Sequence, residues 1–322
     1  MRLHQKAYPG YSGNILPLAA LVAVLALPLF ERDPYILHVI ILVFFYVMYS
    51  SSWNLLAYSG QVSFGHAAFL GIGGYITTLL AIRMVSPWLG LLAGASASAL
   101  VGCLIGLTCV RLREWFLALV TFGFSLIMEA ITIQLDWITA GTFGLAVPSL
   151  LNSLDQYYYG MLSLMVVTVL LTYLIIRSKI GLAFIAIREN EQEAKATGID
   201  TVKYKLLAFV ISTFLTGLAG AFYAHFIGFI NPQIYSLEHS FWPVIMVVSG
   251  GLGTLEGPVI GTVVIMFVWE FLRIIDPVQR MLTIGLILIL IIIFMPRGLS
   301  LFLRKYLQTL TPTKLPTRKT GR

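Results

Sequence analysis

The stretch Arg188-Glu-Asn-Glu-Gln-Glu-Ala-Lys-Ala-Thr-Gly198-Ile-Asp-Thr-Val-Lys-Tyr-Lys-Leu-Leu-Ala-Phe-Val-Ile-Ser212 changes character within itself. Arg188, Glu189, Glu191, Glu193 and Lys195 crowd its first half, Gly198 and Asp200 follow, and from Leu206 the chain turns apolar. A segment that must face water here runs directly into one that avoids it. Repeated along a chain, that pattern marks helices threaded through lipid.

The composition agrees. Of 322 residues 58 % are hydrophobic and 11 % charged, with mean hydropathy +0.90, whereas soluble domains carry about 25 % charged residues. One buried core cannot absorb that deficit. Nearly uncharged runs recur, each long enough to cross a hydrocarbon layer of about 30 Å as a helix. The alternating segments of a membrane β-barrel are absent. The fold class is therefore all-α: a polytopic transmembrane bundle forming one domain over residues 1–322, with about ten spans (eight to eleven). The net charge of +7 does not signal nucleic-acid binding, because the basic residues cluster at the ends of apolar runs, where topology accounts for them. Cys103 and Cys109 lie in one apolar run without a metal-binding spacing.

The spans fall at about 14–30, 35–58, 62–82, 88–110, 115–135, 160–176, 206–228, 241–253, 258–275 and 281–295. The first lacks a small-residue cleavage site and reads as an uncleaved anchor. Residues 136–159 read as a loop, 177–205 as a water-exposed loop with a short helix, and 296–322 as a basic tail. With ten crossings and a cytoplasmic N-terminus, 17 of the 21 Lys and Arg fall inside: Arg2, Lys6, Arg111, Arg113, Arg177, Lys179, Arg188, Lys195, Lys203, Lys205 and seven in the tail. Only Arg32, Arg83, Arg273 and Arg280 fall outside, so the positive-inside rule places both termini and the charged segment in the cytoplasm. The third and eighth spans could instead be re-entrant.

Read as one helix, Arg188–Thr197 spans about 15 Å. Glu191 and Lys195 form a favourably ordered i,i+4 pair. Gly198 suits a left-handed helix end and Asp200 the cap of the next helix. Ala194 and Gly198 share one side, leaving room for an approaching surface, so bulk at either should disturb docking and not folding. A merely solvated interfacial helix would show the same spacing.

Residues Glu193-Ala194-x-x-x-Gly198-Ile199, followed by Lys205-Leu-Leu-Ala-Phe-x-x-Ser212, resemble the cytoplasmic Glu-Ala-Ala-type loop of ABC importer permeases. Three further blocks are similar to branched-chain amino-acid permeases of the LivM type. These are Asn54-Leu-Leu-Ala-Tyr-Ser-Gly-Gln-Val-Ser-Phe-Gly-His-Ala-Ala-Phe69, Ala208-Phe209 through Gly217-Leu-Ala-Gly-Ala221, and Gly250-Gly-Leu-Gly-Thr254 with Gly257-Pro258. The resemblance covers about residues 40–298. It implies a permease subunit of an ATP-driven importer for branched-chain or other neutral amino acids, in the inner membrane of a bacterium or archaeon. Urea or amides are alternative solutes within the superfamily. The implied partners are a second permease, two ATPases that bind the ATP, and a periplasmic solute-binding protein. Arg188, Glu189, Glu193, Ala194 and Gly198 would then meet an ATPase.

Two stretches are candidates for the solute path. Gly60 to Tyr75 contains five glycines with Gln61, Ser63, Gly65 and His66, a poor uniform helix since each glycine weakens it by about 1 kcal/mol. Gly250, Gly251 and Gly253 break the apolar run near Pro258 in the same way. Such breaks are tolerated at membrane depth where the backbone is covered or lines a cavity. Close helix packing through small residues is the competing explanation, and it is preferred for Gly217/Ala221 and Gly220/Ala224/Gly228. Glu129 is an intramembrane acid without an evident local partner, a functional candidate by default. Glu270 has one in Arg273, three residues on.

An ion-coupled transporter would use Glu129 or Glu270 but leaves the charged segment idle. A membrane enzyme would need paired carboxylates or a metal cluster, and Glu189, Glu191 and Glu193 sit on one short segment interleaved with Lys195. No Gly-x-x-x-x-Gly-Lys motif occurs, and no cofactor is expected in this chain.

Overall fold

The structure, a computed structural model, describes residues 15–109, 114–295 and 298–302. Arg2, Lys6, Arg111, Arg113 and the seven basic residues of the tail lie outside the described residues.

The helices in chain order are α1 (Ile15–Phe30), α2 (Pro34–Ala57), α3 (His66–Ile82), α4 (Pro87–Cys109), α5 (Glu114–Gln134), the single turn α6 (Asp136–Thr139), α7 (Leu154–Arg177), α8 (Lys179–Glu189), α9 (Glu191–Ala196), α10 (Thr201–Ile227), α11 (Leu237–Gly250), α12 (Gly257–Phe271) and α13 (Pro277–Phe294). Two short strands, β1 (Leu145–Ala146) and β2 (Phe229–Ile230), pair antiparallel. Among the described residues six helices are long and apolar enough to cross a membrane: α2, α4, α5, α7, α10 and the stretch Gly257–Ile274. Helices α3 and α13 are apolar but shorter. The chain is a multi-pass membrane protein.

Several boundaries differ from the sequence reading. Helix α7 starts at Leu154, six residues early, because Ser153 accepts a bond from Gln156 N–H and caps it. The 136–159 loop is partly ordered by α6 and by β1, whose register sets Leu145 against Ile230. Within Gly60–Tyr75 the backbone breaks only before His66, and α3 then runs unbroken through Gly71, Gly73 and Gly74. Those glycines admit close neighbours: a Cβ at Gly73 would overlap the Gly217 carbonyl, and one at Gly71 the Tyr235 ring.

Helices α2 and α10 form the centre, with 61 % of their apolar windows buried against 28 % for α5 and α7. The outer faces of α5 and α13 stay apolar, as at Phe116, Leu119, Leu282 and Ile293, which suits hydrocarbon. At the centre α10 meets α3 and α4 through small residues. A Cβ at Gly220 would overlap the Leu70 carbonyl, and one at Gly217 the Ser98 side chain. Backbones approach this closely only where side chains are missing. Gly228 is the exception among the expected contact residues. It has open space around it and φ +75°, and it ends α10 in the left-handed conformation.

Two ends of the bundle can be told apart. At one, β1 pairs with β2 and Tyr157 donates from α7 to the His225 carbonyl at 2.9 Å. At the other, the end of α8 meets the turns after α2 and α11, and α9 meets the start of α10.

Candidate functional site

The α9 end is built from four segments. Asn190 is extended (φ −160°, ψ 106°), so Arg188–Thr197 is not one helix but the end of α8, a break, and α9. The Asn190 side chain accepts from Gln192 and Glu193 N–H, and its Nδ2 donates to Glu193 Oε1 at 2.7 Å. That capping preference, Asn followed three residues on by Glu, was legible in the sequence and marks the break.

Gly198 ends α9 at φ +87°, and Asp200 caps α10 by accepting from Lys203 N–H at 3.1 Å, both as their residue types suggest. Glu191 binds Lys195 at 2.9 Å and also receives Lys205 and the Thr201 hydroxyl. Burial alone would raise the Glu191 pKa. The bonds from Lys205, Lys195 and Thr201 outweigh it and hold the carboxyl at about 2. Glu191 therefore locks α9 onto the start of α10.

This lock decides which face of α9 is available. Ala194 is buried, 3 % exposed, so the expected Ala194–Gly198 contact face does not exist: Ala194 faces the protein. Gln192, Glu193, Lys195 and Gly198 remain exposed, as does Glu189. Arg188 is half-buried, 3.3 Å from the Glu189 carboxylate.

Arg188 is the junction of the site. A Cβ at Gly60, where φ is +75°, would lie 3.2 Å from its Cα, and a Cβ at Gly253, where φ is +65°, would overlap its Nη1. Both glycine-broken stretches thus end against one residue of the charged segment. Asn54, at the end of α2, ties the second of them. Its Nδ2 donates to the Thr254 carbonyl at 2.8 Å and its Oδ1 accepts from Gly253 N–H at 2.9 Å. The first is tied by Gln61, which donates to the Lys205 carbonyl at 3.0 Å, and by Trp53, which donates to the Ser63 carbonyl at 2.7 Å. Asn54 carries no role in the sequence reading, although a polar amide in an apolar span is itself a signal.

The remaining residues named for the solute path are packed and bonded within the protein. Gln61, Ser63 and His66 are all buried. Ser63 Oγ lies 2.9 Å from His66 Nδ1, Ser212 Oγ lies 2.8 Å from His66 Nε2, and Ser212 donates to the Ser52 carbonyl at 2.7 Å. This chain joins α2, α3 and α10. A Cβ at Gly65 would overlap the Thr121 carbonyl, one at Gly250 the Gly257 carbonyl, and Gly251 closes α11 at φ +131°. These contacts are those of close packing.

Toward the other end, the Glu270–Arg273 pair forms at 3.4 Å, and Tyr35 donates to Glu270 and lies under the Arg273 guanidinium. Glu129 is partly buried and makes no hydrogen bond or ion pair among the described residues.

Residues 35–295 match the family model described as branched-chain amino acid transport system, permease component. The high-affinity branched-chain amino acid transport system permease protein LivM of Salmonella typhimurium is 28 % identical over 272 residues, covering 75 % of this chain and 64 % of that protein. The chain thus spans less than two-thirds of that relative's length. The probable LivM of Methanocaldococcus jannaschii is 26 % identical over 71 % of this chain and 69 % of its own. LivH of Salmonella typhimurium is 26 % identical over 64 % and 74 %. No solved structure matches the chain.

Proposed function

The chain belongs to the branched-chain amino-acid transport-system permease family, and on that premise we propose that it is a transmembrane subunit of an ATP-driven importer of branched-chain or other neutral amino acids. It pairs with a second permease, two ATPases that bind the ATP, and an extracytoplasmic binding protein. Urea and amides are the alternative solutes. In this reading the ten helices α1–α5, α7 and α10–α13 each cross the inner membrane of a bacterium or archaeon, both termini are cytoplasmic, and α8–α9 face the cytoplasm.

The observation that carries the mechanism is the position of Arg188 against Gly60 and Gly253. An ATPase gripping the exposed side of α9, through Glu189, Glu193 and Gly198, displaces α8–α9 as a unit, because Glu191 and Lys205 hold it to α10. Arg188 passes that displacement to both glycine-broken stretches. The strands of backbone at 58–65 and 251–256 then shift, separating the contacts around Ser63, His66 and Gly250 and opening the path on alternate sides. Glycine permits this, since its backbone crosses conformations that side chains forbid.

The test is reconstitution with the four partner subunits in proteoliposomes, following radiolabelled leucine. ATP-dependent uptake that needs the binding protein is expected. Uptake that persists without ATP and collapses with the proton gradient would overturn the assignment, and competition by urea but not leucine would move it to the alternative solute.

A further inference from the structure

We propose that the segment after α13, residues 298–300, is a releasable strap on the 251–254 turn, and that the transport stroke lifts the turn away from it. The inference rests on the importer reading and adds to it a restraint on the turn that Arg188 meets.

Helix α13 is held to α11 by Ile284, which is buried in one cluster with Trp242 and Met246. Beyond the end of α13 the chain folds back. Gly298 N–H donates to the Met295 carbonyl at 2.7 Å, and Gly298 takes φ +79°. That places Gly298 on Gly251: a Cβ at 298 would lie 2.4 Å from the Gly251 Cα and 2.5 Å from its nitrogen. Two bare backbones are therefore in contact. Two residues on, Ser300 is buried, and its Oγ lies 3.4 Å from Thr254 Oγ1. Thr254 gives its own hydrogen to the Gly251 carbonyl at 2.8 Å and accepts from Gly257 N–H at 3.1 Å, so Ser300 is the donor.

The turn is thus held from three sides, unequally. Asn54, on the central α2, grips it with two bonds of 2.8 and 2.9 Å. Arg188 bears on Gly253 from α8. The strap contributes one long hydrogen bond, at the weak end of the range, and a glycine-on-glycine contact in which no side chain interlocks. Parting it requires no rotamer change, and at the end of the bundle water replaces the lost hydroxyl contact. A displacement of Arg188 therefore carries the turn away from 298–300 before it breaks the Asn54 pair. Until then the strap biases the turn toward the position it has here.

Two measurements on the assembled transporter test the strap. The first combines Thr254→Cys and Ser300→Cys in a chain that also carries Cys103→Ala and Cys109→Ala. Oxidation should join the pair, and the joined complex should import leucine at about one tenth or less of its own rate after reduction, because the turn can no longer leave the strap. The second is Gly298→Ala, whose methyl lifts the strap off Gly251. With the bias removed, ATP hydrolysis without the binding protein should rise about threefold or more, and Ser300→Ala should move it the same way by less. A merely structural loss would lower hydrolysis or leave it unchanged. A joined complex that imports as fast as the reduced one, or hydrolysis at or below the wild-type level in assembled Gly298→Ala, overturns the strap while the importer reading stands. Should Gly298→Ala fail to assemble, the joined pair decides alone. If the wild-type complex imports no neutral amino acid, the importer reading itself has failed.

Discussion

Arg188 lies over the bare Cα of Gly253, in the space that any other residue's Cβ would occupy. The contact joins the end of α8 to the turn after α11, 65 residues away in sequence. It depends on two features together: the absence of a side chain at 253 and the left-handed backbone, φ +65°, that turns this Cα toward α8.

Gly253→Ala should weaken coupling through both. The left-handed conformation costs a non-glycine residue roughly 1–2 kcal/mol, and the methyl displaces the guanidinium. In proteoliposomes the ratio of leucine imported to ATP hydrolysed should fall, with hydrolysis itself maintained. Arg188→Ala should lower the same ratio, and Arg188→Lys should restore only part, because an ammonium lacks the guanidinium's planar fork of donors. An unchanged ratio in all three would remove Arg188 from the transmission path.

Asn54→Leu should destabilise the folded chain. It leaves Gly253 N–H and the Thr254 carbonyl without their partner, at about 1–3 kcal/mol for each group left unsatisfied. Asn54→Asp keeps the acceptor for Gly253 and loses the donor to Thr254, so it should fall between the two. Thermal unfolding in detergent, followed by intrinsic fluorescence, ranks the three.

Ala194→Leu and Gly198→Leu should fail for different reasons. The first forces bulk into a buried position, costing about 1–3 kcal/mol, and should lower the stability of the isolated chain. The second has open space around it but φ +87°, so Gly198→Asn, which tolerates the left-handed region, should be stable where Gly198→Leu is strained. Melting curves of the isolated chain separate the cases.

Acidification should loosen α9 from α10. The Glu191 carboxyl titrates at about 2 in the folded chain against about 4.3 when unfolded. Its contribution is therefore present above the unfolded value and is lost as pH falls from about 4.3 toward 2. With its side chain 33 % exposed, solvent screening reduces the contribution to about 1 kcal/mol. Amide exchange at 191–205 should accelerate through this window in the wild type and be less pH-dependent in Glu191→Gln. That variant should already be less protected at neutral pH, because buried Lys205 loses its carboxylate.

The sequence by itself determined whatever depends on neighbours within about one helical turn or on the count of apolar residues. The multi-pass helical class follows from charge deficit and run length. The Gly198 helix end, the Asp200 cap, the Glu191–Lys195 pair and the Glu270–Arg273 pair follow from spacings of one to four residues, where backbone geometry alone sets the distance. Even the Asn190 break was legible in that way.

The tertiary structure decided everything that depends on which helix comes alongside. Ala194 shows the limit most clearly: its small size is the same whether it admits a partner or faces its own protein, and only the Lys205–Glu191 lock turns it inward. The glycines of α3 read as a disrupted helix until α4, α10 and the Tyr235 ring are seen pressed against them. Arg188 meets Gly60 and Gly253 across separations of 128 and 65 residues. Such pairings are selected by the packing of whole helices, since a close backbone approach at one point places every other contact along the same pair, and no local spacing carries that information.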